Sequence, residues 1–150
     1  MDKILTKINT LWGAAVTLAA AVFGEFWFLF AAFFLLNVAD YITGVAKAHF
    51  TKTENSNKGQ KGIVKKVGYW LVIEIAFFIA MSFGEMGEKI GVDLSFASMI
   101  GWFTLATFII NEIRSVLENL ITLGVDVPEF LIKGLEVAEK AVESKTNKEK

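Results

Sequence analysis

The 150-residue chain has no cysteine, one histidine and one proline. Without cysteine there is no disulfide framework, no thiolate metal site and no cysteine nucleophile. The lone His49 excludes a multi-histidine metal site within one chain, and any Ser-His chemistry would have to run through it. Pro128 lies outside every long apolar run, so no run is broken by a missing N–H. Net charge is also nearly absent, with 15 Lys+Arg against 16 Asp+Glu. That balance says nothing about partners, because the charges are segregated along the chain. No set of residues carries an arguable catalytic geometry, and none asks for a cofactor or a metal. The reading is that the protein is not an enzyme.

What the chain does have is apolar surface. It is 54% hydrophobic and 13% aromatic, with 14 Phe and 4 Trp. Ordinary soluble domains are about 45–50% apolar on a broader count that includes Gly. The excess is packed into residues 11–39, 67–83 and 94–110, while the last 25 residues are rich in charge. Phe26–Ala39 is apolar apart from Asn37 and leads into Asp40-Tyr41-Ile42-Thr43-Gly44. A polar stretch follows, in which Lys47, Lys52, Lys58, Lys61, Lys65 and Lys66 face one acid, Glu54. The run Val67–Phe83 comes next, broken by Glu74. Two apolar runs of that length are hard to bury together in one small soluble domain. Positive charge between apolar spans marks the cytoplasmic side of a membrane. The expected fold class is therefore all-α, a polytopic helical membrane protein.

The strongest span runs from Phe26 to about Ala48, and its 23 residues reach roughly 34 Å at a rise of about 1.5 Å per residue. A hydrocarbon core is about 30 Å thick. The next runs from about Ile63 to Phe83. The last runs from about Leu94 to Ile110, with an amphipathic extension to Leu123 and a stop at Gly124. Leu11–Phe23 is ambiguous: 13 residues cover only about 20 Å. Lys3 and Lys7 before it, and Ala19-Ala20-Ala21 near its end, also fit a secretory signal peptide, but more apolar sequence follows at once from Phe26. With four spans, Lys3, Lys7 and the Lys47–Lys66 loop lie inside, as does the tail. Glu25 and the Glu85, Glu88, Lys89, Asp93 loop then lie outside. Every short loop obeys the charge rule in this arrangement. Four transmembrane helices are therefore expected, with three plus a re-entrant N-terminal segment as the alternative. Both termini are then cytoplasmic. Residues 1–123 form the membrane domain and 124–150 a cytoplasmic helix and tail. In that tail Leu131, Leu135, Ala138 and Val142 recur at helical spacing after Asp126 and Pro128, which predicts a short amphipathic helix. Ser144–Lys150 has no apolar anchor and is expected to be disordered.

Several polar residues inside or beside these spans are candidates for an oligomer contact or a hydrated pore wall. Asn37, Asp40, Gly44 and Lys47 fall three or four apart on one helical face, with Thr43 beside them. The bland alternative is a helix end leaving the bilayer. Glu74 lies halfway along its span, where a carboxylate needs a partner such as Lys66 or a polar group on another helix. Thr104, Thr107, Asn111, Arg114 and Glu118 share a broad face of the last span, as hydrogen-bonding glue between helices or as a lumen wall. Gly13, Thr17, Ala20, Ala21 and Gly24 form a small-residue stripe suited to close helix packing. The basic stretch with Lys52, Lys58, Lys61, Lys65 and Lys66 reads as a cytoplasmic loop against anionic lipid. It holds one aromatic, Phe50, and Lys61-Gly62-Ile63 lacks phosphate-loop order, so no nucleic-acid partner is expected.

The segment Asn37-Val38-Ala39-Asp40-Tyr41-Ile42-Thr43-Gly44 is followed by Asn55-Ser56-Asn57-Lys58-Gly59, then Lys61-Gly62-Ile63 and Lys65-Lys66-Val67-Gly68. An Asp-x-x-Thr-Gly ends one span, a short Ser/Lys/Gly stretch follows, and Lys-Lys opens the next. This pattern resembles the phage holin family that includes the clostridial toxin-secretion holins, over roughly residues 35–80. Members often carry an Asp late in the Lys-Lys span; here the neighbourhood reads Ile79-Ala80-Met81-Ser82, with Glu74 and Glu85 the nearby acids. The resemblance implies a small membrane protein whose partners are the lipid bilayer and copies of itself. It would open a non-specific hole for an endolysin or a toxin as passive cargo, possible antiholin partners aside. Physics alone does not separate such a protein from an antiholin of the same fold or an accessory subunit of a small channel or transporter.

Overall fold

The computed structural model describes the backbone of residues 2–148; the side chains of residues 1–5, 18–23, 25 and 146–150 lie outside that description. The described chain is helical throughout its regular elements: α1 (Asp2–Phe23), α2 (Trp27–Phe50), α3 (Ser56–Ile90), α4 (Ser98–Thr122) and α5 (Glu129–Lys148). Single 3₁₀ turns at Gly24–Phe26 and Ser95–Ala97 precede α2 and α4. The chain divides into two compact units, Met1–Leu35 and Leu36–Lys150.

In the first unit α1 is one continuous helix, so the ambiguous Leu11–Phe23 run is the second half of a 22-residue element. Thr10 donates to the carbonyl of Thr6 and Thr17 to that of Gly13, both at 2.8 Å. A threonine that bonds its own preceding turn leaves no unmet hydroxyl on an apolar helix. Gly24, at φ +69°, takes the left-handed conformation that ends α1.

In the second unit, three features set the helix boundaries. Asn55 caps α3: its side-chain oxygen accepts from the N–H of Asn57 at 2.9 Å and of Lys58 at 3.3 Å. The helix therefore begins at Ser56, well before the first apolar residue of the span, and reaches 35 residues. Gly91 at φ +71° ends it, with the Val92 N–H closing back on the Gly87 carbonyl at 3.0 Å. Gly124 at φ +85° ends α4 in the same way, with Val125 bonding Leu120 at 3.0 Å. The expected stop at Gly124 is thus found.

Three expectations are corrected here. Lys58, Lys61, Lys65 and Lys66 are not in a loop but on the first three turns of α3, because the Asn55 cap starts the helix early; only Lys52 stays in the short connection. Glu85, Glu88 and Lys89 likewise belong to the last turns of α3. Ser144–Lys148 is helical instead of disordered, since α5 runs on without a breaker to Lys148.

The core of this unit is the contact between α3 and α4. Ile73 and Ala76 meet a face of α4 built from Gly101, Leu105 and Ile110, all buried. A Cβ at Gly101 would lie 2.8 Å from the Phe77 ring, so the glycine lets the helices close together. Phe77 meets Trp102 edge-on at 5.0 Å between ring centres, and Tyr69 meets Phe108 at 4.4 Å. Outward faces are apolar too: Val64, Leu71, Ile75 and Phe78 on α3 are exposed. Among the described residues, three helical stretches are long and apolar enough to cross a membrane: Trp27–Phe50, Ser56–Ile90 and Ser95–Thr122. An apolar surface facing outward is what a bilayer, not water, would stabilise.

Candidate functional site, an ion cluster joining three helices

Lys66 is the centre of the site. It stands one residue before the apolar run Val67–Phe83, where a lysine can still reach the headgroup layer. Here it turns inward instead. Its Nζ donates to Asp40 Oδ2 of α2 at 2.8 Å and to Glu112 Oε2 of α4. Glu112 is only 3% exposed. A carboxylate that buried costs several kcal/mol unless a cation and hydrogen bonds compensate it, and Lys66 supplies both.

Asn119 extends the cluster one turn pair further along α4. Its amide oxygen accepts from Lys47 Nζ at 2.9 Å, and its Nδ2 donates to Asp40 Oδ1 at 3.1 Å and to Thr43 Oγ1 at 3.2 Å. Charge sets this orientation, with the oxygen toward the ammonium and the nitrogen toward the carboxylate. The Thr43 hydroxyl in turn donates to the Ala39 carbonyl at 2.8 Å. Two lysines, Lys47 and Lys66, stand against two acids, Asp40 and Glu112, so the cluster is neutral. Gly44 lies one turn from Asp40, and a Cβ there would sit 3.7 Å from Asn119 Nδ2, an ordinary contact. An open cleft of about 1010 Å³ borders the cluster, lined by Asp40, Gly44, Lys47, Lys58, Lys66 and Asn119 among others. The ion-pair side chains themselves are largely buried, Lys66 and Asp40 at 17% exposure each.

The sequence-predicted stripe thus comes together in part. Asp40, Thr43, Gly44 and Lys47 share the α2 face that meets Asn119, and Asn37 is buried on the same side of α2. Of the five lysines expected in the basic loop, Lys66 enters the cluster; Lys52, Lys58, Lys61 and Lys65 are exposed, and Lys65 lies 5.6 Å from the centre of the Tyr69 ring. Glu74 is exposed on α3 and does not pair with Lys66, whose partners are Asp40 and Glu112. The Thr104 and Thr107 hydroxyls donate to the carbonyls of Ile100 and Phe103 on their own helix. Asn111 is exposed. Beside it Arg114 forks onto the Glu139 carboxylate of α5, with Nη1 to Oε1 at 3.2 Å. Of the small-residue stripe, Thr17 is exposed and a Cβ at Gly13 or Gly24 would meet nothing within 4 Å among the described residues. The side chain of Ala21 lies outside the described residues.

Glu112 and Asn119 are the residues that sequence reasoning missed. The signal was present: Gly101, Leu105, Glu112 and Asn119 are all buried and fall one or two turns apart along one face of α4. A small residue opening such a stripe marks the close-packed face, so a carboxylate and an amide further along it must meet polar partners.

No solved structure matches the chain. Among curated proteins it is 33% identical over 136 residues to an uncharacterized protein of Halalkalibacterium halodurans, covering 89% of this chain and 96% of that one. It is 31% identical over 130 residues to a probable holin of Bacillus phage phi105, covering 87% of each. An uncharacterized 14.9 kDa protein of Clostridium perfringens, from the region 3′ of nagH, is 32% identical over 137 residues, 90% of this chain and 95% of that one. Residues 17–140, which include all of the ion cluster, match the bacteriophage holin family. The chain belongs to that family.

Proposed function

We propose that the chain is a holin that accumulates in the bacterial cytoplasmic membrane, assembles with copies of itself and opens a non-specific hole. An endolysin or a toxin would pass through it as passive cargo. The observation that carries this reading is where the chain keeps its charge. Lys66, Asp40 and Glu112 gather at one end of three apolar helices, paired with one another, and Lys47 is tied to them through Asn119. The outward faces beyond them are apolar. A hydrophilic opening must therefore be assembled from several copies. When the helices separate, the same four charges can find partners on a neighbour. The cluster then acts as a clasp that holds the monomer closed.

In this reading the protein crosses the membrane four times. The 22 residues of α1 cover about 33 Å at a helical rise, enough for a span. Both termini are then cytoplasmic. Lys52, Lys58, Lys61 and Lys65, close in sequence between two spans, support placing that end inside.

Induced expression in a bacterium without other phage proteins tests the function. Growth arrest, loss of membrane potential and release of a co-expressed endolysin are expected. An intact potential at full membrane levels would make the chain an antiholin or a transporter subunit. Cysteine at Asn57 should resist an impermeant thiol reagent in intact cells while one at Gly91 reacts; the opposite labelling would reverse the orientation.

A further inference from the structure

Helix α5 is covered on only part of its apolar surface. Leu135, Glu139 and Val142 are half-buried, and the Arg114–Glu139 pair fastens this side to α4. A small void lined by Thr107, Ile110, Asn111, Glu139, Val142 and Glu143 marks the rest of the contact. A second stripe on α5 is open. Phe130 is 71% exposed and Val137 68% exposed, and Gly134 and Ala141 continue the same line. With Leu131 and Ile132 also exposed, the first half of α5 carries an apolar arc with nothing on it. The arc beside it is charged, with Glu129, Lys133, Glu136 and Lys140 at helical spacing, and Lys133 pairs with Glu129 one turn away at 2.9 Å. An arc divided in this way suits the boundary between water and acyl chains.

We propose that α5 is an interfacial helix, lying in the headgroup layer of the leaflet at which the Lys66 cluster sits, with Phe130 and Val137 in the lipid. The proposal rests on α4 spanning the membrane. Glu112 pairs with Lys66, which stands at the boundary of the α3 apolar run, so Glu112 marks the same depth on α4. Arg114 is two residues further out, and Glu139 is held there with it. Glu139 and the turn around it are thereby held near the depth at which the apolar run of α3 begins. Lipid, rather than a basic or acidic partner, is the occupant that fits the charge of the helix. Four glutamates (Glu129, Glu136, Glu139 and Glu143) balance four lysines (Lys133, Lys140, Lys145 and Lys148). The attachment is therefore apolar and does not depend on anionic lipid or on ionic strength.

The absence of cysteine makes the test direct. Single cysteines at Val137, Glu136 and Leu71 of the full-length chain are labelled with an environment-sensitive fluorophore. The proteins are reconstituted in phosphatidylcholine vesicles, with and without nitroxide-bearing acyl chains. Leu71 is an outward residue of α3 and reports whether the span itself contacts lipid. The expected result is strong quenching at Leu71 and Val137, weak quenching at Glu136, and no change at Val137 in high salt or with added phosphatidylglycerol. Quenching at Leu71 with a water-exposed label at Val137 would overturn the interfacial helix and leave the membrane reading intact. A Val137 label shielded from water yet not quenched would also overturn it, since protein and not lipid would cover the stripe. Failure at Leu71 would instead remove the membrane premise itself.

Discussion

The two ends of the α3–α4 hairpin are held by different physics. At one end Lys66 bridges Asp40 and Glu112, Asn119 ties Lys47 and Thr43 to Asp40, and three helices meet. At the other, the turn between α3 and α4 is made by backbone geometry and close packing. Gly91 takes φ +71°, Leu94 packs on Gly87, and the Ser95 N–H donates to Asp93 at 3.0 Å. Packing of this kind is hard to open by degrees, because it is close-fitting and has one arrangement. An ion cluster can exchange partners, because each charge accepts any suitable counter-charge. The difference teaches where the fold can change state: at the charged end, with the glycine-lined end as the fixed hinge side.

The largest expected effect therefore belongs to the cluster. Lys66→Met strands two carboxylates, one of them buried, and should destabilise the folded chain by about 3–5 kcal/mol, read from denaturant unfolding in mixed micelles. Adding Asp40→Asn and Glu112→Gln to Lys66→Met should recover most of that loss, because no buried charge is then left alone. If Lys66→Met melts like the wild type, the cluster is not what holds α2 to the hairpin. Asp40→Asn alone keeps the shape and removes one charge. Near the membrane boundary it should leave membrane levels intact and shift the onset of lysis.

At the packed end, Gly101→Leu forces the Phe77 ring aside and should cost about 1–3 kcal/mol. The same unfolding assay, with lysis timing unchanged once expression is matched, would sharpen the contrast between a rigid and a switchable end. A timing change as large as that of Asp40→Asn would erase it.

How far these two ends were legible in the sequence follows from how local their causes are. Gly124 ends α4 as its residue type suggested, because a helix stop is decided within a few residues. Asp40, Thr43 and Lys47 stood out because they fall at helical spacing just where an apolar run meets a basic stretch. The early start of α3 was also local: Asn55 ahead of a helix-compatible stretch is a capping pattern, but the lysines behind it read more readily as a loop. Glu112 was not legible as a partner of Lys66, since the two are 46 positions apart and nothing local pairs them. The triangle Asp40–Lys66–Glu112 exists only once three helices are packed. The α5 helix was foreseen from its apolar spacing, yet its extension through Ser144–Lys148 was not, because lysine and serine without an apolar anchor also suit a disordered tail.

Smaller effects lie away from both regions. Arg114→Ala removes the fork onto Glu139, a pair about one-third exposed on each side, and should weaken α5 docking by no more than about 1 kcal/mol. Faster proteolysis of α5 with an unchanged α2–α4 core would check it. The smallest effect is at Asp93, whose carboxyl is held below its ordinary range by hydrogen bonds from the Ser95 side chain and backbone N–H. A lowered folded pKa means that its contribution is present above the unfolded carboxylate range and is lost as pH falls through the folded value. Asp93→Asn should flatten that slight acid dependence and remove the same small contribution at neutral pH, read as a slightly lower stability of the hairpin turn at pH 7.

Hole formation is tested most directly by the purified protein in phosphatidylethanolamine–phosphatidylglycerol vesicles loaded with fluorescent dextrans of graded size. Release of small and large dextrans together, rising steeply with the number of copies per vesicle, is the expected result. Vesicles that stay sealed to every dextran at high protein density, with the chain correctly inserted, would contradict it.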